Sequence, residues 1–351
     1  MYIIIAILLF GILIGIHEFG HFITAKWCNV QVNEFSIGMG PLLLHKQKGE
    51  TLYSWRLLPI GGYCAMEGEN EDSDNPRAFV NRNFFQKLLI LCAGSFMNYL
   101  MGVILLIIVF SSASGFTTTV IGGFMDGCPY QGEQALMTGD RFVSIDGKKV
   151  RYANDVSEYL GDGSVRSAHD IVLERNGEKI TLSSFEMVPK EYEGQEGLRY
   201  GLYFDTVDAT PLQVVKHSVQ WSGEFVRMVW EGLRQLVTGA VGLDDMSGPV
   251  GIVSMMTEVG ESAETRSDAV MNILYFCAFI AVNLAVMNML PIPALDGGRI
   301  FLMIITVIVE AILGRKLDSK YENFINVVGL VLLLGLMAIV MFNDIMKLIH
   351  G

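Results

Sequence analysis

The first sixteen residues carry no charge, and His17-Glu18-Phe19-Gly20-His21 follows them without a break. An apolar run from Tyr2 to about Ala25 is long enough to cross a bilayer core as a helix, which takes about 20 residues. Three ionisable groups in five residues then lie within that run, where each costs roughly 2.5–3.5 kcal/mol on insertion scales. On a helix His17 and His21 are i and i+4. Their rings share one face, a turn apart, and can reach a common metal ion. Glu18 lies to the side of that face, where it can hold a water without being a ligand. A chance match would leave three polar groups in hydrocarbon with no partner, and a metal supplies one.

The rest of the chain repeats the apolar signal. Further runs lie at Leu88–Phe110, Ala269–Leu290 and Phe324–Ile349. Of 351 residues, 51% are hydrophobic, and the mean hydropathy of +0.41 suits a multi-spanning membrane protein better than a soluble enzyme. A net charge of −12 excludes nucleic acid as an expected partner. The acidic residues gather at Glu67–Asp74 and across 120–270, marking those parts as solvated. Segment 26–87 holds seven Lys and Arg (Lys26, Lys46, Lys48, Arg56, Arg77, Arg82, Lys87), and 297–323 holds four (Arg299, Arg315, Lys316, Lys320). The positive-inside rule therefore puts both segments in the cytoplasm, with the termini and 111–268 outside. The HExxH then lies near the cytoplasmic end of span one. Cys28, Cys64, Cys92, Cys128 and Cys277 form no CxxC pair, so neither a disulfide framework nor a cysteine zinc site is expected. With no basic n-region and no A-x-A site, residues 1–16 are expected to stay in the protein.

Between the spans the pattern changes. Residues 30–63 alternate polar and apolar groups in short runs, punctuated by glycine and proline, which predicts β-hairpins. They end on Gly61-Gly62-Tyr63, either a tight turn or a backbone that must pass close to something. Residues 116–205 predict a small α+β domain. Its strands are expected near Thr118–Ile121, Arg141–Ile145, Asp170–Leu173 and Lys179–Leu182, with a helix near Asn154–Leu160. The run Gly139-Asp140-Arg141-Phe142-Val143-Ser144-Ile145-Asp146-Gly147 resembles the core of a PDZ domain, which implies peptide binding by strand addition. Across 211–240, Val215, Val219, Val226, Val229, Trp230, Leu233 and Val237 recur at helical spacing. That helix is expected on the membrane surface or against the outer domain.

A catalytic zinc usually has three protein ligands and an open position. No acid or histidine follows His21 at short helical distance. Glu34 belongs to the β-like segment, and His45, His169, His217 and His350 read as ordinary surface or core residues. The third ligand is expected from the far end of span three, where Asn283-Leu284-Ala285-Val286-Met287-Asn288-Met289-Leu290-Pro291-Ile292-Pro293-Ala294-Leu295-Asp296-Gly297-Gly298-Arg299 closes the helix on two prolines. Asp296 can be the cap of a following helix. It is also expected at the membrane depth of His17 and His21, which favours a ligand.

Together HEFGH, Gly-Gly-Tyr and NxxPxPxLDGG resemble the site-2 protease family (M50) of intramembrane zinc metalloproteases. The single PDZ-like insertion is similar to its bacterial RseP/RasP-type branch, and the resemblance runs over nearly the whole chain. It implies one Zn2+ per chain on His17, His21 and Asp296, with Glu18 as the catalytic base. Asn283 and Asn288 are implied to hold the substrate backbone, with helix packing as the plainer role. Gly61, Gly62 and Tyr63 are implied to border an edge strand offered to an unwound substrate. Two departures stand out: Ala93-Gly94-Ser95 where the family often has Ala-Gly-Pro, and Arg299 where it often has His.

The expected fold is therefore an α-helical polytopic membrane protein with four transmembrane helices, a membrane-associated β-hairpin region and an inserted extracytoplasmic α+β PDZ-like domain. Its parts are 1–110 (the first two spans, with the β region 30–63), 116–205 (PDZ-like), 211–240 (amphipathic helix) and 268–351 (the last two spans, with LDGG). The expected setting is a bacterial cytoplasmic membrane. Expected substrates are transmembrane segments of single-pass proteins already trimmed by another protease, anti-sigma-factor-like proteins or signal-peptide remnants. A membrane scaffold with a vestigial metal site, and a metal transporter, are the rival classes. The transporter would want further ionisable groups at the centres of spans two and four, which lack them.

Overall fold

The computed structural model describes residues 2–69, 71–164, 166–194, 197–242, 248–314 and 319–350. Arg315 and Lys316, two of the charges used for orientation, fall outside them, as do Leu317 and Asp318. The chain runs α1 (Tyr2–Trp27), β1 (Val32–Lys48), β2 (Thr51–Met66), a 3-10 turn (Phe79–Asn81) and α2 (Phe84–Phe110). Next come β3 (Gly115–Phe124), β4 (Arg141–Ile145), β5 (Lys148–Lys149), α3 (Ala153–Leu160), β6 (Ala168–Arg175), β7 (Glu178–Glu186) and β8 (Leu202–Asp208). Five helices finish it: α4 (Pro211–Thr238), α5 (Pro249–Glu261), α6 (Arg266–Asn288), α7 (Asp296–Leu313) and α8 (Ser319–His350). Two compact units result, 1–110 with 215–351, and 111–214.

Among the described residues of the first unit, four helices are long and apolar enough to cross a membrane: α1, α2, α6 and α8. Apolar side chains such as Leu8, Ile12, Ile104 and Leu332 remain exposed on them, as a lipid-facing surface requires. Small residues let these helices approach one another. A Cβ on Gly20 of α1 would stand 2.4 Å from the Ala93 carbonyl oxygen of α2, and one on Gly102 of α2 would stand 2.7 Å from Val282 of α6. Thr265 accepts a hydrogen bond from the Asp268 amide and starts α6, which stops just before Pro291 and Pro293.

The β region is one long hairpin. Its strands reach Met66 and bend where Gly38, Gly40 and Gly61 take positive φ. Such glycines turn a strand without ending it. Glu34–Ile37 is thereby paired twice, with Leu52–Trp55 on one side and Gly62–Ala65 on the other. Phe22 of α1 packs on Phe35 and Tyr53, with ring centroids 5.0 and 5.8 Å away, and holds the hairpin to the helix. The turn residue Glu50 meets Lys26 at 2.5 Å and Arg77 at 2.5 Å.

The helix expected over 211–240 forms as α4, but it packs on α2 and α6. Phe225 joins Leu106, Ala278 and Val282 in a buried cluster. Trp221 Nε1 donates to the Tyr275 hydroxyl at 2.7 Å, and the hydroxyls of Tyr99 and Ser222 lie 2.8 Å apart. Val215, Val219, Trp230 and Val237 remain exposed. Of the apolar set, Val229 is buried and Val226 half-buried, and Ser218, Ser222 and Phe225 are buried with them. α5 has no counterpart in the sequence reading, being too short to span, whereas α7 is the following helix that the sequence offered at Asp296. Buried Asp344 of α8 accepts hydrogen bonds from the amides of Gly248 and Gly251 and closes the start of α5.

The second unit is a six-stranded sheet in the order β7-β6-β4-β3-β8, with β5 paired to β4, and carries α3. Its core includes Ile121, Phe142, Ile145, Ile171, Leu173 and Val156. Asp146 (φ 49°) and Gly147 (φ 76°) make the Asp-Gly hairpin turn. Fully buried Asp140 binds Arg175 through both carboxylate oxygens, at 2.7 and 2.8 Å.

Candidate metal centre

His17 and His21 stand one turn apart on α1, and Asp296 is the first residue of α7. The loop between α6 and α7 doubles back tightly. A Cβ on Gly297 would lie 2.3 Å from the Met289 carbonyl, and one on Gly298 would lie 2.0 Å from the Ile292 oxygen. Only glycine fits at either position, and this wedge delivers the Asp296 carboxylate to α1. Its Oδ2 is 3.2 Å from Nε2 of His17 and 3.3 Å from Nε2 of His21, and the two Nε2 atoms are 3.1 Å apart. The N-cap position of α7 is Leu295, and Asp296 is the first residue inside the helix.

His21 is buried, and its Nδ1 donates to the Ile90 carbonyl at 2.9 Å. That bond leaves the Nε2 lone pair facing the cluster. Asp296 Oδ2 is itself buried without a hydrogen-bond donor. Lone-pair atoms so close together repel unless a cation lies among them. Their spacing matches the edge of a tetrahedron, about 3.3 Å, when each ligand is about 2.05 Å from the ion. The donor set of two imidazoles and a carboxylate fits zinc. These three residues are the metal-competent His/Cys/Asp/Glu cluster found among the described residues.

Glu18 is half-buried beside the cluster. A Cβ on Gly62 would lie 3.4 Å from its Cγ and 2.8 Å from the Ser36 oxygen, so the Gly61–Tyr63 segment of β2 runs against the glutamate. One edge of that segment pairs with β1. The other has no strand partner among the described residues. Gly61 takes φ 89°, and Arg56 lies over the Tyr63 ring, 5.4 Å from its centroid. Asn288 Nδ2 stands 3.4 Å from Nδ1 of His17. Asn283 is half-buried on α6 and makes no hydrogen bond to the cluster among the described residues. Neither His169, bound to Asp146 at 2.7 Å, nor His217, stacked on Trp221, is part of the cluster.

Gly94 enters the sequence pattern only as part of Ala93-Gly94-Ser95, yet a Cβ there would lie 2.4 Å from Nε2 of His21 and 2.7 Å from Cε1 of His17. The only signal for it was a glycine inside an apolar span.

The profile of peptidase family M50 matches residues 5–336. The chain belongs to peptidase family M50. It is a site-2-type zinc metalloprotease, with Zn2+ as cofactor. A candidate zinc metalloprotease of Clostridium perfringens is 36% identical over 98% of both chains. One from Clostridium acetobutylicum is 36% identical over 98% of this M50 chain and 97% of its own. The regulator of sigma-W protease RasP of Bacillus subtilis is 26% identical over 97% of both.

Proposed function

We propose that His17, His21 and Asp296 hold the zinc ion, and that Glu18 is the general base of an endopeptidase cutting peptide bonds within the membrane. The convergence of His17, His21 and Asp296 beside Glu18, on helices apolar enough to cross a bilayer, is the observation that carries this reading. Bound zinc supplies Lewis acidity that polarises the scissile carbonyl and acidifies water. Glu18 takes the proton of the attacking water as its oxygen bonds to the carbonyl carbon, and returns it to the departing amine as the C–N bond breaks. The bond from His21 Nδ1 to Ile90 holds one ligand in its productive tautomer. Asn288, whose Nδ2 stands 3.4 Å from Nδ1 of His17, would do the same for that ring once its carboxamide is flipped to present its oxygen.

A bond inside a helix cannot be attacked until the helix opens, and opened backbone in lipid needs partners. The free edge of Gly61–Tyr63, against Glu18, offers them by strand addition. Asn283 and Asn288 are assigned to the substrate backbone by family resemblance. Substrates are single-pass membrane proteins already shortened by another protease. The regulatory name of the Bacillus subtilis relative favours anti-sigma-factor-like proteins. The setting is a bacterial cytoplasmic membrane, with the metal centre toward the cytoplasm and the termini and the 111–214 unit outside. That unit is read as a PDZ-like peptide binder. It has a cavity of about 490 Å³ bordered by Thr117, Ala153, Asn154, Ser157, Arg199 and Phe204.

The test is co-expression of a truncated, tagged single-pass substrate with wild type or Glu18→Gln. A shorter product with wild type alone is expected. Equal cutting by both, or by neither across several substrates, overturns the reading.

A further inference from the structure

Arg299 lies three residues after Asp296, so its side chain leaves the same turn of α7 as the carboxylate. It reaches back to the chain leaving β2. Nη1 donates to Glu69 Oε1 at 2.5 Å, and Nη2 donates to the Glu69 carbonyl at 3.2 Å. The other carboxylate oxygen of Glu69 accepts from the Met66 amide at 3.3 Å, at the end of the strand that carries Gly61–Tyr63. The guanidinium also lies over the Phe79 ring, 5.8 Å from its centroid. Phe79 belongs to the core that holds Met66, Cys64, Ile90 and Ile300. Gly297 and Gly298 are wedged against 289–293, so the first turn of α7 cannot slide to accommodate a change at Arg299.

We infer that Arg299 is a positioning residue: through Glu69 it sets the register between the substrate-facing end of β2 and the helix that delivers Asp296. The inference rests on the proposed roles of Asp296 and of the Gly61–Tyr63 edge. Two parts that must place a scissile bond against a metal come from sequence positions far apart. A fork-shaped, charged contact fixes both distance and direction between them. Small misplacement of a reacting bond has a large effect on rate, so the contact shows in turnover more than in substrate affinity.

The test uses the full chain in proteoliposomes, with Arg299→Ala, Glu69→Gln, the double variant and Arg299→Lys. Each of the first two is expected to lower kcat/KM about tenfold, mainly through kcat. The double variant should be no worse than the weaker single, because one interaction is removed either way. Hydrogen exchange of the Met66 amide and its neighbours should quicken, while β4 and β6 keep their protection. Lysine, which keeps the charge but not the fork, should recover part of the rate. Additive losses, wild-type turnover in either single variant, or unchanged exchange at Met66 overturn the inference. Exchange quickened across the whole chain even in Arg299→Lys overturns it in favour of a folding role. If Glu18→Gln cuts like wild type, the protease reading fails, and the exchange data still decide whether Arg299 holds β2.

Discussion

A glycine decides whether the proposed metal ligands have room. Gly94 faces both histidines across the contact between α1 and α2, and the rings stand where a methyl group would be. Gly94→Ala must push His21 off the Ile90 carbonyl or away from Asp296. Ligand orientation of this kind typically accounts for about 10–100-fold in metal affinity. Gly94→Ala is therefore expected to weaken zinc binding by roughly that factor, read by competition with a chelator. Gly15, with open space around its Cβ position, is the control, and Gly15→Ala should bind zinc as wild type does. Equal affinity in both variants would refute the packing account. The HExxH spacing was legible in the sequence because helical periodicity is local. Gly94 was not, because its role depends on which helix faces α1.

At the scale of elements, the hairpin's tip is tied down by charge. Hydrogen bonds from Arg77 and Lys26 hold the Glu50 carboxyl down to about 2, from an ordinary value of 4.5. The folded value lies below the unfolded one. The stabilisation is therefore full above about pH 4.5 and is lost as pH falls toward about 2. The cluster is partly exposed, so the effect weakens in salt. Melting temperature should fall between pH 5 and pH 3 at low salt, and Glu50→Gln should flatten that slope. Parallel slopes in the two proteins would count against the anchor. The β character of 30–63 was readable from alternation, but its path was not. Three positive-φ glycines bend the strands, so pairing partners depend on the returning chain rather than on spacing. α4 has the same cause on the helical side. Its period was legible, whereas the face it buries was chosen by α2 and α6.

For the whole molecule, the 111–214 unit is compact, with its own sheet and core. If it filters substrates by size, deletion of 116–205 should let the enzyme cut a full-length single-pass substrate that the intact chain leaves alone. Continued refusal of the full-length substrate, with the truncated one still cut, would end the filter idea. By itself the sequence determined the four apolar helices, the paired histidines with their glutamate, and the α+β insertion. Each of these follows from hydrophobic runs or from periodicities within one segment. Only the tertiary structure decided that α7 begins at Asp296 with its carboxylate 3.2 Å from His17, that Gly62 runs against Glu18, and that Arg299 reaches Glu69. Those contacts join residues up to 279 positions apart, 17 to 296. Their distances are set by glycine-sized gaps and by the packing of neighbouring helices, which no local pattern records.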